Sequence, residues 1–314
     1  MTFIQDKNRL CLITVISNSE ERNREIYHNR EISLCVRNDK KRKLGFKSLL
    51  IISLSLISII SFSQKVNKVI SLAPSITENI YLLGAEDKLI ACTSYCTQAV
   101  SDGVEQIGST VDVNVEKIFA MQSDLVLTML MTKQQDIEAM IKLGIKVVVI
   151  PSPKSFNEIC EQTIQIGKLI GSADSAQKII QQTKQTVDSL KQKCSAIKNN
   201  PKIFFQMGAN PIFTVLGNTF MNDYILFCNG ENIANGMTKG TMTRESVLLK
   251  NPDIIIVATM GGFGEEEQKI WRSYNGLKAA ENGKVFLIDS ETSCSPTPDS
   301  FAKAFADVYK FVTQ

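Results

Sequence analysis

Short apolar runs alternate with amphipathic segments along residues 66–150, and most of the segments end at a glycine or a polar turn. Runs rich in Val, Ile and Leu predict strands, whereas apolar residues every three or four positions predict helices. Strands are predicted at 66–72, 88–92, 124–128 and 146–150, and helices at 75–83, 114–121 and 133–143. Ser75 and Glu78 have the spacing of a capping box at the start of the first helix. Continuous apolar strands separated by helices favour a parallel sheet covered on both faces.

The alternation stops in the middle of the chain. Residues 154–170 and 173–197 predict two helices with no strand between them. The second helix would be about 25 residues long, or ~38 Å. This length exceeds that of an ordinary crossover within one sheet, so we expect a rigid connection between two lobes.

Strand and helix patterns resume after residue 200. Strands are predicted at 202–207, 211–215, 253–257 and 284–289, and helices at 220–228, 244–250, 264–274 and 298–312. We therefore expect an α/β protein with two lobes of mainly parallel sheet flanked by helices and joined by one long backbone helix. The expected division is a leader at 1–63, an N-terminal lobe at 66–171, the backbone helix at 173–198 and a C-terminal lobe at 200–314.

One short element occurs in both halves. Residues 115–128 read VEKIFAMQSDLVLT and residues 244–257 read RESVLLKNPDIIIV. Without a gap, Glu116 aligns with Glu245 and Asp124 with Asp253, and each copy ends in an apolar strand. A carboxylate in the first turn of a helix is favoured by the helix dipole, which alone could explain each Glu.

The first 63 residues have the features of a leader. Lys40–Lys43 and Lys47 precede the apolar stretch LLIISLSLISII at 49–60, and small residues at 61 and 63 suit cleavage after Ser63. The apolar stretch is shorter than the ~20 residues of a spanning helix, so we expect a cleaved signal peptide rather than an anchor. The cleavage site has no lipid-accepting Cys, so we expect a periplasmic protein. Residues 1–39 have no periodicity, which favours a true start near residue 44.

Composition excludes several function classes. The leader carries eleven Lys/Arg and six Asp/Glu, which leaves 24 and 26 in the remaining chain. A body so close to neutral has no basic surface for nucleic acid. The only histidine is His28 in the leader, so sites built on histidine are excluded from the main body.

Six cysteines follow the leader: Cys92, Cys96, Cys160, Cys194, Cys228 and Cys294. Disulfides persist in an oxidising compartment, but six cysteines allow fifteen pairings and the sequence does not choose among them. The three-residue spacing of Cys92 and Cys96 differs from that of a zinc knuckle, so we expect buried thiols or one structural disulfide.

The order of motifs resembles a known family. It runs SLAPSITE at 71–78, NVEKI at 114–118, SDLVL at 123–127, LGIKVVVI at 143–150, the long middle helix, CNGENIA at 228–234, TRESVLLKNPDIIIV at 243–257 and SPTP at 295–298. From residue 66 to 314 the chain resembles the substrate-binding proteins of vitamin B12, ferric-siderophore and haem ABC importers. The resemblance implies a monomeric, non-enzymatic receptor that docks Glu116 and Glu245 onto arginines of the membrane permease, which works with an ATPase.

Ligand contacts are expected from loops beyond the carboxyl ends of the strands, facing a cleft between the lobes. The candidate ligand-binding residues are Pro74, Ser75, Tyr95, Cys96, Thr110, Val111, Met129, Met207, Met260, Gly261, Phe263, Cys294 and Ser295. By the resemblance, Tyr95 stands where relatives place an aromatic ring against a flat or metal-centred ligand. Cys96 and Cys294 could bridge, bind a metal centre or do neither. The stretch GMTKGTMT before Glu245 lacks the aromatic residues of many vitamin B12 binders.

Three functions follow from these features. The first is a receptor for a metal chelate, with a corrinoid ahead of a ferric siderophore and haem third, since the body offers no histidine as an axial ligand. The second is a receptor for bare metal ions. The third is a secreted α/β enzyme, with Asp112 and Asp289 near strand ends. No enzyme cofactor or resident protein-bound metal is expected, and quenching of Trp271 is expected to report ligand binding.

Overall fold

The computed structural model describes residues Lys65–Gln314. The predicted leader, its signal peptide and His28 lie outside these residues. The N-terminal lobe contains β1 Val69–Ser71, α1 Pro74–Leu82, β2 Leu89–Cys92, α2 Thr97–Ser101, β3 Glu105–Gln106, α3 Val115–Ala120, β4 Leu125–Met129, α4 Gln134–Lys142 and β5 Val147–Ile150. Its five strands are all parallel, in the order β3-β2-β1-β4-β5. The predicted parallel sheet is confirmed.

Two consecutive helices join this lobe to the second. They are α5 Phe156–Ile170 and α6 Ala173–Cys194, and the turn between them uses Gly171 in the left-handed conformation. Helix α6 has 22 residues, or about 33 Å. It ends three residues before the predicted end, because Ser195 caps it and the chain then turns toward Pro201.

The apolar side of α6 enters two cores. Ala176 belongs to the core of the N-terminal lobe, whereas Ile180 and Val187 belong to that of the C-terminal lobe. Helix α5 is shared in the same way, with Ile170 in the first core and Ile159 in the second. The connection is therefore a pair of helices, each packed against both lobes.

The C-terminal lobe has a mixed sheet. Its elements are β6 Lys202–Ala209, β7 Ile212–Thr214, α7 Asn222–Phe227, β8 Glu231–Asn232, β9 Thr241–Met242, α8 Arg244–Lys250, β10 Ile254–Ala258, α9 Gly264–Arg272, α10 Lys278–Glu281, β11 Val285–Ile288, α11 Ser290–Ser293 and α12 Pro298–Thr313. The order is β11-β10-β6-β7-β9, with β8 also paired to β6. The strands β11, β10, β6 and β8 pair in parallel, while β7 is antiparallel to β6 and β9.

The repeated element performs the same structural task in both lobes. Asp124, just before β4, accepts hydrogen bonds from the backbone N–H groups of Asn67 and Lys68 at 2.8 and 2.9 Å, where the chain enters β1. Asp253, just before β10, accepts one from the N–H of Lys202 at the start of β6, at 2.8 Å. Each Asp thus fixes the start of the neighbouring parallel strand.

The capping-box prediction is wrong. Helix α1 is capped by Ala73 with Pro74 in its first turn, and no side chain accepts a capping hydrogen bond. Proline needs no backbone acceptor at this position, so the helix starts at Pro74, two residues earlier than the box requires. The Glu78 carboxylate instead accepts a hydrogen bond from Ser295, outside its own helix.

The Asp124→Asn variant tests the role of the repeated Asp. The two N–H donors hold the pKa of Asp124 below its usual value. The charged carboxylate therefore stabilises the folded state fully at any pH above the ordinary pKa of Asp. This stabilisation is lost as the pH falls through the lowered pKa of the folded state. We expect the variant to lose about 1 kcal/mol of unfolding free energy at pH 7, a value reduced for solvent exposure. Urea denaturation at pH 7 and near pH 3 measures the difference, which should shrink at the lower pH. Asp188→Asn, on the exposed side of α6, is the matched control, and an equal loss in both variants contradicts the assignment.

Candidate functional site

A cavity of about 420 Å³ lies between the two lobes, and we call it the cleft cavity. It is bounded by α1, the loop from β2 into α2, and the segment from β11 through α11 to the start of α12. Its lining residues are Pro74, Thr77, Glu78, Tyr81, Leu82, Tyr95, Cys96, Thr97, Gln98, Asp289, Glu291, Thr292, Thr297, Asp299 and Ser300. The carboxyl ends of β1, β2 and β11 all lead into it, as expected for a ligand site in a parallel sheet.

Three predicted ligand-binding residues line the cleft cavity: Pro74, Tyr95 and Cys96. The Tyr95 side chain is 66% exposed, so its ring is available to a ligand. Cys96 is buried, and its sulfur accepts a hydrogen bond from the Thr77 hydroxyl at 3.1 Å. Cys96 therefore shapes this side of the cavity without presenting an open thiol.

The charged residues that line the cavity are all carboxylates: Glu78, Asp289, Glu291 and Asp299. Asp299 pairs with Lys303 at 2.7 Å, but the lining itself contains no lysine or arginine. The Thr292 side chain and backbone hold the pKa of Asp289 below its usual value, so this carboxylate is ionised. The cavity is therefore acidic, mainly on the side of the C-terminal lobe.

Glu78 reaches from one lobe to the other. Its carboxylate accepts a hydrogen bond from the hydroxyl of Ser295, which is a predicted ligand-binding residue of the other lobe. Burial raises the pKa of Glu78, the Ser295 hydrogen bond opposes that shift, and the charge of Glu291 adds to it. Ser295 thus contacts the rim of the cavity through Glu78 and is itself buried.

Next to the cavity, the carboxyl ends of the N-terminal strands expose large apolar side chains. We call this set the apolar edge: Tyr95 after β2, Val111 after β3, and Leu130 and Met131 after β4. Their exposed fractions are 66%, 48%, 72% and 63%, respectively. Contiguous exposed apolar residues mark binding surfaces more often than isolated ones. Leu130 and Met131 belong to the loop after β4, one of the strand-end loops from which the sequence predicts ligand contacts.

Other predicted ligand-binding residues stabilise the loops around the cavity. Met129 is buried and its sulfur accepts a hydrogen bond from the Ser75 hydroxyl at 3.5 Å. Thr110 is buried, and its carbonyl accepts a hydrogen bond from the Thr132 hydroxyl at 3.0 Å. These positions hold the loops after β3 and β4 in place.

Four predicted residues of the C-terminal lobe, Met207, Gly261, Phe263 and Cys294, do not line the cleft cavity. Met207 and Cys294 pack against one side of the lobe's core, and Phe263 against the other. Gly261 is exposed and adopts a positive φ of 68° in the turn Met260–Gly262. Alternation of apolar strands and loops locates strand ends, but it does not distinguish a side chain that faces a cleft from one that faces the core.

The acidic residues were missed as ligand candidates. Glu78 was assigned to a cap and Asp289 only to a hypothetical enzyme. Glu291 lies on the four-residue helix α11, and Asp299 lies in the first turn of the 16-residue amphipathic helix α12, directly after the SPTP motif. Their grouping depends on tertiary packing, and no local pattern in the sequence indicates it.

Two further expectations from the sequence concern the pair Cys96 and Cys294 and the single tryptophan, Trp271. Cys96 and Cys294 are not bridged to each other: Cys96 lines the cleft cavity, whereas Cys294 packs against the core of the C-terminal lobe. Trp271 is fully buried, and its ring N–H donates to Gln206 at 2.6 Å inside the C-terminal lobe. Trp271 does not line the cleft cavity, so quenching by a bound ligand would act over a distance rather than by contact.

Asp112 and Asp289 have structural partners. Exposed Asp112 pairs with Lys133 at 2.6 Å, which holds its pKa below the usual value. Asp289 caps α11.

Among residues 65–314, no group of three or more His, Cys, Asp or Glu side chains is placed to hold a metal ion. Over the same residues, no helix is long and apolar enough to cross a membrane.

The two repeated glutamates are exposed at the starts of short helices. Glu116 lies in the first turn of α3, which Asn114 caps, and Glu245 in the first turn of α8, which Thr243 caps. The backbone N–H of Glu245 and the Thr243 hydroxyl hold the pKa of Glu245 below its usual value. Both carboxylates are thus accessible to a partner.

A buried polar chain fixes the start of α8. Arg244 contacts Glu267 at 2.5 Å and lies 5.0 Å from the centre of the Trp271 ring. Glu267 accepts a hydrogen bond from Gln206 at 2.8 Å. Arg244 is thus engaged by Glu267, whereas its neighbour Glu245 is exposed to solvent.

A two-lobe α/β fold with paired connecting helices and a cleft at the strand ends defines a class of extracytoplasmic solute-binding proteins. A family model described as "Periplasmic binding protein" matches residues 69–292. The chain belongs to this family, whose members bind substrates and are not enzymes.

Individual relatives agree with this assignment. The chain is 30% identical over 209 residues to a vitamin B12-binding protein of Yersinia pestis, covering 65% of this chain and 74% of the relative. It is 27% identical over 240 residues to an uncharacterised ABC transporter substrate-binding lipoprotein, YvrC, of Bacillus subtilis, covering 74% and 76%.

Solved structures share the fold. The periplasmic vitamin B12-binding protein BtuF of Vibrio cholerae superposes with a TM-score of 0.68 at 22% identity, covering 79% of this chain and 97% of that one. The periplasmic haem-binding protein HutB of Vibrio cholerae gives 0.69 at 17% identity, covering 79% and 99%. The predicted two-lobe fold is confirmed.

The raised pKa of Glu78 generates a stability prediction. Above its raised pKa the buried carboxylate is charged at a cost, so Glu78→Gln should increase the unfolding free energy at pH 7 by about 0.5–1 kcal/mol. The gain should disappear as pH falls below about 4.5, where the carboxyl is protonated both folded and unfolded. Urea denaturation from pH 4 to 7 measures it. Glu86→Gln, at an exposed position, is the control, and a loss of stability in Glu78→Gln would contradict the prediction.

Proposed function

We propose that this chain is the substrate-binding protein of an ABC importer, which holds a metal chelate between its lobes and delivers it to the membrane permease. The supporting observation is the cleft cavity, which has the apolar edge on one side and carboxylates on the other. A large ligand would fill the cavity with one part and lie across the apolar edge with the rest. This role is a binding role, with no reaction at the site.

The lining favours a particular chemistry of ligand. Apolar side chains and Tyr95 suit the flat or curved face of a macrocycle, since aromatic rings stack on such faces. Glu78, Glu291 and Asp289 are hydrogen-bond acceptors that suit amide N–H donors. They repel anions, and no basic side chain in the lining compensates. A neutral, amide-bearing corrinoid fits best, and a neutral ferric siderophore is second.

Haem is the third candidate. Several solved neighbours are haem-binding proteins, but the propionates of haem carry negative charge into an acidic cavity. The described part of the chain also offers no histidine for the iron. The Yersinia relative named as a vitamin B12-binding protein supports the same ranking.

Binding of a ligand panel tests this proposal. Cyanocobalamin, a neutral ferric trihydroxamate, haem and a ferric tris-catecholate are titrated into the mature protein by calorimetry and by ligand absorbance. We expect stoichiometric binding of cyanocobalamin and weaker or absent binding of the two anionic chelates. Preference for an anionic chelate would contradict the charge argument, and failure of all four to bind would contradict the chelate proposal.

The matched variants in this experiment are Tyr95→Ala and Phe213→Ala. We expect Tyr95→Ala to weaken cyanocobalamin binding about tenfold, because it removes an exposed ring at the cavity. Phe213 is 44% exposed on β7 and does not line the cavity, so its variant should bind normally. Equal affinities of the two variants for cyanocobalamin would contradict the assignment of Tyr95 to the binding site.

The permease is the proposed partner of Glu116 and Glu245. A carboxylate in the first turn of a helix presents acceptors for a bidentate arginine. Each of the two helices also exposes a large apolar residue about one turn later: Phe119 on α3 at 51% and Leu249 on α8 at 87%. The acidic and apolar pair on each lobe suits a protein partner with arginines beside apolar pockets, and it supports docking at two points.

The double variant Glu116→Ala/Glu245→Ala tests docking. We expect its affinity for the reconstituted permease–ATPase complex to fall about 100-fold or more, since each charge-assisted pair contributes about 1.5–3 kcal/mol. Its affinity for the chelate should be unchanged, which separates docking from ligand binding. Glu265→Ala, an exposed glutamate in the first turn of α9, is the control. Undiminished permease affinity in the double variant would contradict the docking assignment.

A further inference from the structure

Two buried cysteines in the C-terminal lobe lie against each other. The sulfurs of Cys194 and Cys228 are 3.4 Å apart, and both residues are fully buried. Cys194 is the last residue of α6, and Cys228 caps the carboxyl end of α7. The contact therefore joins the connecting helix to a helix of the C-terminal lobe, 34 positions further along the chain.

The backbone around the pair is already held in place. The side chain of Asn229 donates hydrogen bonds to the carbonyl oxygens of Cys194 and Ile197, at 3.3 and 3.2 Å. Asn229 adopts a positive φ of 53° to do so. A disulfide requires a sulfur separation of about 2.05 Å, so the two sulfurs must approach by about 1.4 Å more. Because hydrogen bonds tie the two backbones together, this approach must come mainly from rotation of the two side chains.

We propose that Cys194 and Cys228 form a structural disulfide in the exported protein. The two thiols lose two protons and two electrons, and the acceptor is the disulfide of an exported thiol oxidant or of oxidised glutathione, which becomes a dithiol or two thiols. One thiolate attacks the acceptor to give a mixed disulfide. The second thiolate then attacks that bond and releases the reduced acceptor.

The bond forms during folding rather than afterwards. Burial raises the pKa of both thiols in the folded chain, and the thiolate is the reactive form. The folded, reduced protein is therefore expected to react slowly, whereas a chain that folds in the presence of an oxidant closes the bond before the pair is buried.

The other cysteines supply the contrast. Cys160 is buried in the same core, and Cys294 lies beside the Ser293 hydroxyl. Cys92 and Cys96 are near each other beside the cleft cavity, and burial and Cys96 raise the pKa of Cys92 to about 12. Cys96 is held by the Thr77 and Thr93 hydroxyls, so its sulfur is already engaged.

Peptide mapping after oxidative folding tests the disulfide. Mature protein is refolded with oxidised and reduced glutathione, free thiols are blocked under denaturing conditions, and the protein is digested with trypsin. We expect the peptide 194–198 to be linked to the peptide 203–239, which contains Cys228. The link should form far more slowly when the folded, reduced protein is treated with the same oxidant. Free thiols at both positions, or Cys194 linked to any other cysteine, would overturn the proposal.

Thermal unfolding provides a second measurement. Reduction of the wild type should lower its Tm by about 5–10 °C, because the bond closes a loop of about 35 residues in the unfolded chain. Cys194→Ala/Cys228→Ala should unfold at a lower temperature and should not respond to reductant. Cys160→Ser removes a buried thiol in the same core. This variant should still give the linked peptides, and its Tm should still fall on reduction. A reductant-sensitive Tm in the double variant would overturn the proposal, and this readout is independent of which ligand the cleft binds.

Discussion

The packing of the connecting helices into two separate cores is the constraint on which the rest of the structure depends. Along α6, Ala176 is buried with the N-terminal lobe, and Ile180 and Val187 with the C-terminal lobe. Burial of an aliphatic side chain contributes about 1.5–3 kcal/mol. A hinge in this helix would expose such residues on at least one side. The separation of the lobes is therefore set by helix packing.

Because helix packing sets the cleft, selectivity for a ligand depends on the residues that line the cleft rather than on closure of the two lobes. The N-terminal lobe contributes apolar side chains at the ends of parallel strands, where loops cannot bury them. The C-terminal lobe contributes carboxylates at the starts of α11 and α12, the helices after β11. Glu78 and Ser295 join the two sides at the rim. Recognition then depends on the shape and charge of the ligand, and a rigid cargo suits such a site better than a flexible one.

The sequence predicted much of this fold because both lobes repeat one local rule. Apolar strands and amphipathic helices alternate with turn residues, and the repeated Glu and Asp identified equivalent elements that the structure confirms. Two-residue strands such as β8 and β9 were missed, because two residues are too few to show the alternation of apolar and polar positions that predicts a strand. The mixed pairing of β7 was not predicted either, because strand direction depends on partners distant in the chain.

The site was less predictable than the fold for a physical reason. Strand ends were located correctly, and the predicted residues Pro74, Tyr95 and Cys96 line the cavity. The predicted residues Met207 and Phe263 pack against the core instead, because the direction of a side chain from a loop depends on the packing of the core beneath it. The acidic side comes together only when the segment after β11 folds beside α1. Glu78 was assigned a local capping role that Pro74 made unnecessary.

The cavity carboxylates are held in different electrostatic states, and this difference bears on how a ligand would be bound. Asp289 receives hydrogen bonds from its own helix start, which lower its pKa and keep it charged without a ligand. Glu78 is partly desolvated and lies near Glu291, so its pKa is raised and its charged form lacks full compensation. An N–H donor from a bound ligand would compensate that charge, whereas an anion would increase the cost. The raised pKa of Glu78 thus argues for the same donor-rich, non-anionic ligand that the lining indicates.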